Sequence, residues 1–107
     1  MLSDGRWGDT QLLPPGWLQR AATPSTVQGE GQGYGAMTWR IGEPLAGTCK
    51  GYGLPTDTLA MIGHWGQIVA MVPSRQAVIV RLGWTFKRSM FDNCALVAQI
   101  LQTLPKE

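Results

Sequence analysis

His64 is the only histidine of the chain, and it stands in Gly63-His64-Trp65-Gly66 directly ahead of a run of β-forming residues. An imidazole there could act as a base if a carboxylate oriented it, or as a hydrogen-bond donor toward a ligand. Asp57 and Glu43 are the carboxylates that could orient it, and their spacing singles out neither. The plainer reading is a polar side chain in a Gly-x-x-Gly turn. No serine is placed as a nucleophile by a local motif. Ser3, Ser25, Ser74 and Ser89 fall in turn or cap contexts, and no Ser-x-x-Lys occurs.

Other constellations carry less. Gly31, Gly33 and Ala36 have the spacing of a dinucleotide fingerprint, but a strand is expected after them and none before, so no helix N-terminus would meet a pyrophosphate. Cys49 and Cys94 fit no metal or redox spacing, and with a single histidine a zinc site is not expected. Cys94 is expected as a free buried thiol, with a disulfide to Cys49 open in an oxidising compartment. No cofactor is expected.

The elements that must position His64 begin with a hairpin. Residues 67–72 and 77–82 are Val- and Ile-rich, and Pro73-Ser74-Arg75-Gln76 between them is a turn with Pro at a favoured place. Both strands are apolar on both faces over most of their length, whereas a half-covered strand alternates apolar with polar. The hairpin therefore wants cover on two sides. One cover is a C-terminal helix over 89–104. Phe91, Cys94, Leu96, Val97, Ile100, Leu101 and Leu104 recur at three- and four-residue steps, Ser89 and Asp92 are spaced as a capping pair, and Pro105 closes the helix.

Upstream, residues 1–30 read as an irregular segment with a short helix over 16–21 opened by Pro15, and 24–33 as an exposed loop. Residues 34–41 alternate as a strand. Residues 42–53 form a Gly-rich connection whose second arm includes 49–52, and 59–62 lead into the hairpin. The expected fold is a single α+β domain: an antiparallel sheet of three or more strands within 33–83, with the C-terminal helix packed on one face.

Composition narrows the function classes. At 107 residues, 44% hydrophobic and 15% charged, the chain suits one sparsely charged domain. A net charge of +2 with scattered basic residues argues against a nucleic-acid or membrane partner. No apolar run approaches the ~20 residues of a membrane span. Met-Leu-Ser-Asp-Gly-Arg-Trp lacks the apolar core of a signal peptide, which points to the cytoplasm.

Four motifs in order resemble one family, the serine β-lactamase-like hydrolases (class C β-lactamases, penicillin-binding DD-peptidases, esterases and amide-oligomer hydrolases). They are Leu13-Pro14-Pro15-Gly16-Trp17, Gly33-Tyr34-Gly35 followed by Trp39, Gly63-His64-Trp65-Gly66 with its hairpin, and the terminal helix. The resemblance covers the last third or so of such an enzyme. It implies that His64-Trp65-Gly66 is the family's third active-site motif, with His64 donating toward substrate and Gly66 permitting close approach of the substrate backbone. The Gln67 amide would be one of two oxyanion donors, a contribution often worth about 3 kcal/mol. Tyr34, His64, Trp65, Gly66 and Gln67 would line the site.

The family's Ser-x-x-Lys and Tyr-x-Asn motifs are absent, so the resemblance implies a C-terminal fragment that is not catalytic alone. Export is common among full-length relatives. The fold also implies a sheet face with no cover in this chain, hence self-association through that face or an edge, with exchange of the N-terminal segment as one route. The alternatives are a small binding module holding a peptide-like or amide ligand at a strand edge beside His64, and a subunit completing a hydrolase site in trans.

Overall fold

A computed structural model describes residues 2–24, 33–42 and 49–106. Two short strands, β1 (Arg6–Trp7) and β2 (Thr10–Gln11), form a small hairpin, followed by helix α1 (Trp17–Ala22). A four-stranded antiparallel sheet then runs in the order β3 (Trp39–Arg40), β4 (Leu59–Ile62), β5 (Ile68–Val72) and β6 (Ala77–Arg81). Helix α2 (Asn93–Thr103) ends the fold. The chain is α+β, with α2 on one face of the sheet.

Register decides which side chains meet α2. Ala60 pairs with Ala70 and Trp39, Ala70 with Ile79, and Val72 with Ala77, so these side chains share a face. With Ile41, Leu54, Ile68, Cys94, Val97 and Leu101 they make the core, and Ala60, Ala70, Val72 and Val97 have no exposed surface at all. The small alanines let the helix sit close to the sheet. Three features hold α2 there. Asp92 caps its first turn by accepting from the Ala95 N–H at 3.0 Å. Arg75, in the β5–β6 turn, donates to the carbonyls of Leu101 (2.8 Å) and Leu104 (3.0 Å) at the other end. A Cys49–Cys94 disulfide ties the turn after residue 48 to the helix start, with Cα atoms 5.4 Å apart.

Four expectations change. Cys94 is bonded rather than free, because the chain brings Cys49 against the first turn of α2. The cap of α2 is Asp92, not Ser89, which lies in a separate 3-10 turn (Arg88–Met90) before the helix. Residues 34–41 are not one strand: the chain doubles back so that Tyr34 bridges Trp39, with the Gly35 N–H donating to the Thr38 carbonyl at 2.6 Å. Met37 takes a left-handed φ of 68° at this turn, and a Cβ on Gly35 would overlap the Ala21 carbonyl. Strict alternation over eight residues mimics a strand, and only the close approach to α1 reveals the fold-back. Residues 49–51 form a turn instead of a strand arm; the loop expected over 24–33 and the connection over 42–53 fall in large part outside the described residues.

Among the described residues, α1 covers the opposite face only in part. Leu59 and Met71 are buried there, beside a 420 Å3 cleft lined by Leu18, Ala22 and Thr23 on one side and Arg40, Leu59 and Pro73 on the other. Ala21 is buried and its carbonyl accepts from the buried Thr38 hydroxyl at 2.7 Å, which anchors α1. Asp4 supplies the cap that Gly16 lacks, accepting from the N–H groups of Gly16 (2.7 Å) and Leu18 (3.2 Å). Elsewhere the face is open: Met61 is 43% exposed and Val80 56%, with Val69 half-buried between them, and Val78, across from Met71 on the outer strand, is 50% exposed.

Candidate functional site

The β4–β5 connection brings the histidine motif to one end of the sheet. Ile62 pairs with Ile68, and the Gly63 N–H donates to the Gln67 carbonyl at 2.8 Å, so 63–67 closes a hairpin. His64–Gly66 is a 3-10 turn in which Trp65 (φ 52°) and Gly66 (φ 80°) are both left-handed. At Gly66 that conformation is natural for glycine, and a Cβ would also stand 3.0 Å from the Arg81 guanidinium. Trp65 adopts it at a cost that the surrounding contacts must offset.

Those contacts converge on one carbonyl. The Gly66 oxygen accepts from Arg81 Nη1 at 2.6 Å and Asn93 Nδ2 at 3.0 Å. Arg81 also donates to the Thr85 hydroxyl at 2.6 Å and lies 4.1 Å over the Phe91 ring, while the Thr85 N–H donates to the Trp65 carbonyl at 2.9 Å. The end of β6, the start of α2 and the β6–α2 connection thus hold the turn. Asn93 Oδ1 is buried with no hydrogen-bond partner among the described residues. Beside it, the Tyr52 hydroxyl donates to Asp92. That bond and the Ala95 N–H hold the Asp92 carboxyl below the usual carboxylate range, and the same carboxylate pushes the Tyr52 phenol up.

The residues named from sequence are only partly united. His64, Trp65, Gly66 and Gln67 share the turn, with the imidazole exposed and its ring 4.5 Å from Trp65. Tyr34 packs on Trp39 at 4.7 Å, and none of its described contacts is with this turn. The Gln67 N–H donates to the His64 carbonyl at 3.4 Å, inside the turn. The strand that follows Gly66 offers no free edge of its own, because Ile68 is flanked by Ile62 on one side and Arg81 on the other. β5 is an inner strand.

Asp57 does not orient His64 either. Its carboxylate accepts from the Ser74 N–H (2.6 Å) and hydroxyl (2.8 Å) at the β5–β6 turn, the far end of the hairpin. The same bonds engage Ser74. Glu43 lies outside the described residues. No group of three or more His, Cys, Asp or Glu able to hold a metal occurs among the described residues, and no described helix is long and apolar enough to cross a membrane.

Sequence reading missed Arg81, Thr85 and Asn93, which fix the motif's backbone. Arg81 carried a signal: it is the one charged residue in an apolar strand, and burial of such a side chain implies a specific acceptor. Missed as well were Trp84 and Phe86, whose rings lie 5.2 Å and 5.0 Å from that of Trp65. Comparison of the chain with protein-family models, with curated proteins and with solved structures found no match.

Proposed function

We propose that these residues are the C-terminal portion of a serine β-lactamase-like hydrolase fold, carrying its third motif at His64-Trp65-Gly66 but no nucleophile, and that they do not turn over substrate by themselves. The observation that carries this reading is the sheet. One face is closed by α2, the other is apolar and bare past α1, and the histidine turn is clamped at the sheet's end. A sheet that expects a second layer, with a ligand-facing motif at its rim, is what such a hydrolase would present without its helical region. Covalent catalysis needs a nucleophile and its base together, and loss of the nucleophile alone removes it.

In this reading His64 donates to the substrate, and the Gln67 amide becomes an oxyanion donor once a ligand draws it from the His64 carbonyl. The test is incubation with a fluorescent penicillin and with a fluorophosphonate. The expected result is no covalent label and no burst of product. A stoichiometric burst would overturn the proposal.

The bare face favours a second, compatible reading, association with another copy of the chain. Covering a few hundred Å2 of apolar surface at ~25 cal/mol per Å2 would contribute several kcal/mol. The disulfide changes the proposed compartment from the cytoplasm to an oxidising one, where such a bond persists.

A further inference from the structure

Trp65, Trp84 and Phe86 form a cluster in which the Trp84 and Phe86 rings are 6.3 Å apart, and yet Trp84 is 74% and Phe86 66% exposed. Leu82 (74%) and Met90 (67%) are equally bare on the same β6–α2 connection. Exposed large side chains are ordinary when scattered, and a cluster of them is not. The charge around them is one-sided. No acidic residue occurs between Asp57 and Asp92, a stretch that holds Arg75, Arg81, Lys87 and Arg88. The chain's net +2 therefore divides into +4 within residues 58–91 and −2 over the rest. Asp92 is engaged by Tyr52 and the helix cap, Arg75 by the far end of α2, and Arg81 by Gly66 and Thr85. Lys87 is exposed beside the aromatic pair, with Arg88 next in sequence.

We infer that this connection docks on an anionic lipid bilayer, inserting Trp84, Phe86 and Leu82 at the headgroup level while the exposed Lys87 meets lipid phosphate. Trp and Phe partition favourably to that depth, and basic residues near an anionic surface add attraction that salt screens. Apolar tips interleaved with cations on one connection fit a bilayer better than a protein partner, whose interface rim carries mixed polar groups. The small net charge of the whole chain conceals this, because the acids lie elsewhere in the sequence. The inference does not rest on the hydrolase reading: it would hold for a chain with no catalytic role.

The test is co-sedimentation with vesicles of equal phosphatidylglycerol and phosphatidylcholine, together with tryptophan fluorescence. The expected result is binding with a blue shift and quenching by brominated acyl chains. Trp84→Ser/Phe86→Ser should bind at least tenfold more weakly. Both side chains are exposed, so circular dichroism should show that variant folded. Lys87→Gln should weaken binding several-fold, as should a rise from 0.1 to 0.5 M salt. No sedimentation with vesicles would overturn the proposal, as would binding that the aromatic variant leaves unchanged. So would light scattering showing that Trp84 and Phe86 instead join two copies of the chain without any affinity for lipid.

Discussion

The two faces of the sheet are built from similar residues and reach opposite ends. On the α2 side Ala60, Ala70, Val72 and Ile79 are sealed, while on the other Met61, Val78 and Val80 lie roughly half in solvent. Both strands of the hairpin are apolar on both faces over most of their length, so hydrophobicity did not choose the covered face. Tethers did. The disulfide, Asp92 and Arg75 fix α2 at its two ends, whereas α1 is six residues long and reaches only the Leu59–Met71 end. Among the described residues, only one of the two apolar faces that the sequence advertises is sealed.

That contrast can be broken most severely from the core side. Leu101→Ala removes a buried side chain from beneath α2 and should cost about 2–5 kcal/mol by denaturant unfolding, whereas Val80→Ala on the bare face should change stability by under about 1 kcal/mol. Equal costs would mean that the second face is covered after all. A smaller effect is expected at Arg75. Its partly buried guanidinium donates to carbonyls at the end of α2, so Arg75→Gln should cost about 1–3 kcal/mol and should fray the last turn first in hydrogen exchange.

The smallest effect should appear as a change in pH dependence. Asp92 has its pKa lowered on folding, so its contribution is present above the ordinary carboxylate value and is lost as pH falls through the lowered one. Tyr52 has its pKa raised, so its contribution is present below the ordinary phenol value and is lost as pH rises through the raised one. Tyr52→Phe should therefore flatten the alkaline limb of thermal stability and soften the acid limb. Asp4, held low by the Gly16 and Leu18 N–H groups, keeps part of the acid limb in the variant. Unchanged limbs would show that the Tyr52–Asp92 bond is too solvated to matter.

Legibility in the sequence followed the range of the interactions. The hairpin and α2 could be read from local periodicity because their apolar spacing and turn residues are contiguous; β5, β6 and α2 fall within a residue or a few of the expected ranges. The fold-back at 34–39 could not, because its cause is contact between Gly35 and α1, which pattern does not encode. The small β1–β2 hairpin also escaped, since exposed two-residue strands leave no hydrophobic signature. At the site, the motif His64-Trp65-Gly66 was visible as letters. Its geometry was not: the inner position of β5, the inward Gln67 amide and the Gly66 carbonyl held by Arg81 and Asn93 depend on pairing across the sheet and on the start of α2. Charge against apolar exposure at 82–91 needed the structure too, because exposure is not a property of composition.

The central proposal is that the open face is an interface between copies of the chain, and light scattering over a range of protein concentrations tests it most directly. The chain should rise in mean mass with concentration, and Val78→Lys/Val80→Lys, which charges the open face at half-exposed positions, should remain monomeric with an unchanged thermal midpoint. A wild-type chain that stays strictly monomeric at high concentration, or a lysine variant that associates just as strongly, would contradict the account.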